Sequence, residues 1–231
     1  LSEGNDELIL DEDESHHLCK VLRVKVGSLV EVLDGMGTLA DAEIAQLDRR
    51  ATQVEILGRK SLPPPIPFFR IALAMTKANR WEEMIRPLTE VGVGRITPLL
   101  TERTEAKISS EKEVSKLAKW RKLAIEACKQ SGNPWLPAID RPIGFRELLQ
   151  EKESARFMAS LRAQSVKPLV ENDRKAERIL LIIGPEGGWT VTEEDFALEH
   201  GVTLFSLGPN VLRAETAALC ALTVARVGFL D

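Results

Sequence analysis

From Ile179 to Ile183 the chain reads Ile-Leu-Leu-Ile-Ile, with Arg178 before it and Gly184 directly after. Five consecutive apolar residues leave no polar side, so a strand here is covered on both faces, as inside a parallel sheet. Such a strand needs layers above and below it. A chain of 231 residues with 44% hydrophobic and 29% charged positions can supply them, and this composition excludes a disordered or collagen-like protein.

The neighbouring segments alternate between strand and helix patterns, which indicates an α/β fold. Phe69 to Ala74 reads as a strand, Arg80 to Val91 as a helix with Pro87 inside it, and Ile96 to Leu100 as a second strand. Ser110 to Ser131 carries Ser110 and Glu113 as a capping box. Its apolar or small positions are Leu117, Trp120, Ala124, Ala127 and Cys128, and Gly132 stands as a stop before Pro134. Thr190 with Glu193 forms another capping box, and Gly201 closes that helix before a strand from Val202 to Leu207. Glu215 to Val227 is an alanine-rich helix whose small residues suit close packing against another helix or a subunit.

Residues 16–60 differ in character. Short β-type runs such as Ser28 to Leu33 and Thr52 to Leu57, with Asp34-Gly35-Met36-Gly37 as a turn, predict a small antiparallel barrel or sandwich. Pro63-Pro64-Pro65-Ile66-Pro67 then removes four backbone donors and stiffens the chain, so the domain boundary is expected there.

Charge and cysteine usage narrow the setting. The net charge is −4, yet residues 1–15 contain seven acids and no Lys or Arg, and residues 68–146 hold fifteen Lys or Arg against nine Asp or Glu. That basic stretch can meet phosphate as readily as it can form a solvated helix surface. Cys19, Cys128 and Cys220 have neither C-x-x-C spacing nor a disulfide framework. With no run of about 18 apolar residues and no basic leader, a cytoplasmic, soluble protein is expected.

Two loops concentrate the chemistry, each between a strand and a helix, where open α/β sheets bind ligands. In Gly184-Pro185-Glu186-Gly187-Gly188-Trp189, three glycines allow backbone N–H groups to approach a ligand. Its spacing is neither G-x-G-x-x-G nor that of a P-loop. The second loop, Leu207-Gly208-Pro209-Asn210-Val211-Leu212-Arg213-Ala214-Glu215-Thr216, places Glu215 and Thr216 at a helix entrance, where the backbone dipole favours them.

G-P-E-G-G followed some twenty residues later by L-G-x-x-x-L-R-x-E-T-A closely resembles the RsmE family of ribosomal RNA uridine-N3 methyltransferases. The same family is matched by His16-His17 with Val21-Leu22-Arg23, by Lys77 with Arg80, and by Thr89-Glu90-Val91-Gly92-Val93. Thr101-Glu102-Arg103 and Gln130-Ser131-Gly132 match it too, so the resemblance spans nearly the whole chain. Where the family often has Lys and Arg, this chain has Pro87 and Asn133, and members usually carry a short Arg-Phe-containing strand ahead of the position where this sequence starts.

The resemblance implies a PUA-like RNA-binding β-barrel over residues 1–66 and a SPOUT-type α/β domain with a trefoil knot over 67–231. It further implies S-adenosylmethionine as cofactor, a homodimer, and methylation of a decoding-region uridine in assembled small ribosomal subunits. Leu161, Gly184, Glu186, Gly188, Leu207, Gly208, Leu212 and Thr216 would hold the cofactor, and Arg23, Lys77, Arg80 and Arg103 would contact RNA phosphate.

Uracil N3 carries a proton and is a poor nucleophile until that proton leaves, so a nearby cation favours the reaction. Arg213 is the candidate for stabilising the developing anion. Glu215 is the nearest carboxylate, and its position at a helix N-terminus suits positioning and general-base roles about equally. Adjacent His16 and His17 lack a second ligand pair, so no metal is expected. The competing activities are a SPOUT enzyme acting on ribose 2′-oxygen or a transfer RNA base, and an RNA-binding protein without catalysis.

Overall fold

A computed structural model describes residues 1, 6–76, 80–104, 110–152, 155–170 and 176–228. The chain divides into two compact units, Leu1–Pro64 and Pro65–Asp231, with the division inside the proline run.

The first unit is a four-stranded antiparallel sheet with strand order β1-β4-β3-β2, built from β1 (Glu7–Ile9), β2 (Leu29–Leu33), β3 (Thr38–Gln46) and β4 (Gln53–Ser61). The expected turn at Asp34 joins β2 to β3. Gly35 and Gly37 there take φ of 72° and 99°, and the Asp34 carboxylate accepts from the N–H of Met36 at 2.7 Å and of Thr38 at 3.0 Å. Burial works against the charge of Asp34, but these backbone donors outweigh it and hold the carboxyl below its ordinary value. Ala40, Ala42 and Ile44 alternate inward on β3 and meet Val54, Ile56 and Leu18.

The β-rich reading from residue 16 needs correction, because helix α1 (Glu12–His16) runs into a π-helical turn over His17–Leu22. Asp11 caps α1 by accepting from Glu14 N–H at 2.9 Å, and Glu12, Asp13 and Glu14 in the first turn favour the helix dipole. The turn ends at Arg23 in the left-handed region, φ 50°.

The second unit is a parallel sheet. Its elements are β5 (Phe68–Ala74), α2 (Arg80–Glu83), α3 (Ile85–Glu90), β6 (Arg95–Leu100), α4 (Ser110–Ser131), β7 (Ala138–Ile139), β8 (Ile143–Gly144) and α5 (Phe145–Leu148). Then follow β9 (Ala155–Ala159), α6 (Lys167–Val170), β10 (Arg178–Ile183), α7 (Val191–Glu199), β11 (Thr203–Phe205) and α8 (Ala214–Gly228). Strand order is β11-β9-β10-β5-β6-β7, with β8 also on β6.

The apolar run is the central strand β10, paired in parallel with β5 from Arg178↔Phe68 to Ile183↔Leu73 and with β9 from Ile179↔Ala155 to Ile182↔Met158. Ile179, Leu181 and Ile183 join Ile71, Leu73 and the α8 alanines on one side, while Leu180 and Ile182 join Ala72, Leu99, Met158 and Ala197 on the other. Buried Arg70 of β5 is matched by Thr97 at 2.9 Å, Asp140 at 3.3 Å and Glu151.

Three expectations are modified. The helix over Arg80–Val91 is broken at Met84, because Pro87, third in α3, has no N–H to offer the carbonyl four residues earlier. The last strand stops at Phe205, since Ser206 bonds around Gly208, whose φ is 128°. The small residues of α8, Ala217, Ala218, Ala221 and Ala225, are packed inside their own unit, which leaves Thr216, Thr223 and Val227 outward.

The long helix keeps its expected bounds, with Gly132 at φ 67° behind it, although its cap at Ser110 rests on a side chain outside the described residues. Its buried face carries Trp120, which packs against Trp81 in a tilted contact with ring centroids 4.4 Å apart, and Cys128, whose thiol burial pushes up to about 11.

Leu181→Ala should lower the unfolding free energy by about 2–5 kcal/mol, because the rigid layers on both sides cannot close over the void. Urea titration followed by circular dichroism measures this.

Candidate functional site

β11, β9 and β10 are neighbours and parallel, so their C-terminal ends open at one edge of the sheet and their following loops converge. These loops and the start of α8 enclose a cleft of about 470 Å³. The size suits a small-molecule ligand.

The glycine loop after β10 is shaped by tight contacts. A Cβ on Gly184 would meet the Trp189 indole at 2.9 Å. That indole cannot easily give way, because its Nε1 donates to Ala159 O at 2.8 Å and its ring packs on Phe145 with centroids 5.1 Å apart. Gly188, φ 69°, donates to Pro185 O at 2.9 Å and closes the turn. Arg103, on the cleft wall, supports the loop, its guanidinium donating to Gly187 O at 2.7 Å and Trp189 O at 3.2 Å. The expected capping box at Thr190 and Glu193 is present, and the nearly buried Glu193 also accepts from Glu102 N–H at 2.9 Å.

The loop after β9 is tied to α7. Ser160 donates to Glu194, Arg162 N–H donates to the Ser160 hydroxyl at 3.0 Å, and the Arg162 guanidinium reaches Glu194 at 3.3 Å and Asp195 at 2.8 Å. Asp195 first and Glu194 second raise the Arg162 pKa further above its ordinary value. Ser160 N–H donates to Phe205 O at 3.0 Å and Ser206 N–H to Ser165 O at 2.9 Å, so the β9 and β11 loops hold each other.

Seven of the eight expected cofactor residues, Leu161, Gly184, Glu186, Gly188, Leu207, Gly208 and Leu212, line this cleft. Leu161 is 74% exposed and Val211 77%, so both hold apolar surface out at the rim rather than in the core. Thr216 is not on the wall and is exposed. The expected catalytic pair, Arg213 and Glu215, is likewise off the wall, at the entrance of α8. The Arg213 carbonyl accepts from Ala217 N–H at 2.8 Å and its side chain is exposed, while Glu215 is half-buried with Oε2 lacking a partner.

Among the expected RNA contacts, Arg103 lies against the glycine loop, Arg80 is exposed at the start of α2, and Arg23 is exposed in the first unit. Lys77 lies outside the described residues. Ser160, Arg162 and Glu194 also line the cleft and were not singled out from sequence. Among the described residues no group of three His, Cys, Asp or Glu could hold a metal, and no helix is long and apolar enough to cross a membrane.

Known proteins share this architecture. The family described as an RNA methyltransferase domain matches residues 64–226, and the RNA methyltransferase PUA domain matches residues 10–57. Ribosomal RNA small subunit methyltransferase E of Synechocystis is 34% identical, covering 90% of this chain and 68% of the relative. The enzyme of the same name from Aquifex aeolicus is 29% identical, covering 94% and 93%. A Legionella pneumophila methyltransferase solved with bound SAM has a TM-score of 0.89 at 30% identity, covering 98% of this chain and 94% of its own. Ribosomal RNA small subunit methyltransferase E of Neisseria gonorrhoeae, bound to S-adenosyl methionine, gives 0.87 at 28% identity, covering 98% and 93%.

Gly184→Ala is expected to push the Trp189 indole off the Ala159 carbonyl and to cost about 1–3 kcal/mol of stability through overpacking. Denaturant titration together with a red-shifted tryptophan emission would register both effects.

Proposed function

From the family to which this chain belongs, ribosomal RNA small subunit methyltransferase E (RsmE), with its SPOUT-type α/β domain and PUA-like domain, we propose methylation of uridine N3 in the decoding region of small-subunit ribosomal RNA, with S-adenosylmethionine as methyl donor. The observation that carries this is the convergence of the three strand-end loops on one cleft whose wall holds seven of the eight residues the family motif assigns to the cofactor.

The residues present fit that cofactor. Gly184 has no room for a side chain, so backbone faces the ligand there, and exposed Leu161 and Val211 with Leu207 and Leu212 offer apolar cover for a purine ring. When bound, the cofactor supplies an electrophilic methyl carbon on a sulfonium.

The protein has to align acceptor and donor, exclude water and favour loss of the N3 proton. Arg213, exposed at the mouth of α8, stabilises negative charge on the uracil oxygens. Glu215, in the first turn of the helix, is assigned to orienting the base. Arg103 holds the glycine loop, while Arg80 and Arg23 are exposed cations suited to phosphate. Lys77 keeps its sequence-based assignment. The assembly is a homodimer in the cytoplasm, acting on assembled small subunits.

The test is methyl incorporation from labelled S-adenosylmethionine into small subunits lacking the modification, with mass mapping of the product nucleoside. N3-methyluridine at one site is expected. A 2′-O-methylated product, a transfer RNA product, or no product with cofactor bound would overturn the assignment. Arg213→Ala should lower kcat about 10²–10³-fold with cofactor affinity unchanged. Glu215→Gln should lower kcat yet keep the alkaline limb of the pH–rate profile, and loss of that limb would make Glu215 the base.

A further inference from the structure

We propose that Glu194 makes the cleft selective for the cationic cofactor over its neutral demethylated product, an inference that rests on assigning this cleft to S-adenosylmethionine. Among the described residues, four charged ones line the cleft, Arg103, Arg162, Glu186 and Glu194, and of these only Glu194 is buried, at 6% exposure. It sits in the first turn of α7, where its backbone N–H is spent on Thr190 O at 3.1 Å, and its carboxylate meets the β9 loop.

The partners of that carboxylate do not cancel it. Ser160 is a neutral donor to one oxygen. Arg162 reaches the other at 3.3 Å but stands nearer to Asp195, at 2.8 Å, so one guanidinium serves two carboxylates and the cluster keeps a net negative charge. Arg162 and Asp195 have side chains 47% and 53% exposed and are screened by water, whereas the Glu194 side chain, at 9%, is not. An ionised carboxylate has about four acceptor positions, so two donors leave it capacity for a ligand.

Methyl transfer changes the ligand by one methyl group and one positive charge. The electron pair of the broken S–CH₃ bond stays on sulfur, which passes from sulfonium to neutral thioether. Apolar cover from leucines and backbone hydrogen bonds from a glycine loop respond weakly to that difference. A buried carboxylate in the same cleft responds to it through charge. Glu194 thereby favours the methyl donor before reaction and weakens the hold on the product afterwards, which assists turnover where product release is slow.

Glu194 also pins α7 to the β9 loop, and loss of a pin would weaken both ligands alike. The informative quantity is therefore the ratio of the two dissociation constants, product over donor. Calorimetric titrations of the full chain with S-adenosylmethionine and S-adenosylhomocysteine, at low salt, give it directly. In Glu194→Gln the ratio should fall about five- to tenfold. In Arg162→Gln, at a side chain exposed enough to be replaced without unfolding the protein, the ratio should rise.

An unchanged ratio in Glu194→Gln, with both affinities lowered together, would reduce Glu194 to a structural pin and overturn the proposal. A fall or no change in Arg162→Gln would do the same, and that variant decides the matter if Glu194→Gln does not fold. Binding of neither ligand to the unaltered protein would overturn the cofactor assignment itself.

Discussion

A strand covered on both faces can meet a ligand only at its tip, and in this protein that constraint is set by the burial of Ile179 to Ile183 between two apolar layers. Each layer takes alternate residues of β10, so neither face is available for binding. The chain has to leave the core after Ile183, and Gly184 is the residue at which it does so, beneath the Trp189 indole. β9 and β11 end beside β10 because they are its parallel neighbours, and the loops that follow them are brought to the same edge. The cleft is thus a consequence of sheet order, and the loop residues decide its chemistry.

Loops of this kind act as a site only when they are held in place, and here side chains hold backbone. Trp189 joins the β10 loop to the end of β9, Arg103 grips two carbonyls of the glycine loop, and Glu193 serves both its own helix cap and the backbone of Glu102. The Gly188 N–H is spent inside the turn on Pro185 O, and the rim Leu161 and Val211 are left exposed for a ligand. Arg103, expected to touch RNA, is exposed and also takes part in this support.

Elements specified locally were legible in the chain. β10, the capping box of α7, the stop after α4 and the extent of α8 each depend on residues within a few positions of one another. β9 was missed because Ala155 to Ala159 is short and contains Arg156, whose guanidinium is used on the carbonyls of Leu149 at 3.0 Å and His200 at 3.3 Å, distant partners no local pattern reveals. The same omission hid the β9 loop except for Leu161. The glycine loops announce themselves, but Ser160 and Arg162 reach the cleft only because β9 enters the sheet between β10 and β11, and Glu194 stands beside a capping glutamate that already accounts for the acidic pair.

The central claim is that three separated loops form one cofactor site at the end of the sheet. Hydrogen–deuterium exchange with and without S-adenosylmethionine tests it most directly. The account predicts slowed exchange in residues 160–165, 184–189 and 206–212 together, with the β10 core unchanged because it is already buried. Protection of one loop alone, or protection confined to the first unit, would contradict it.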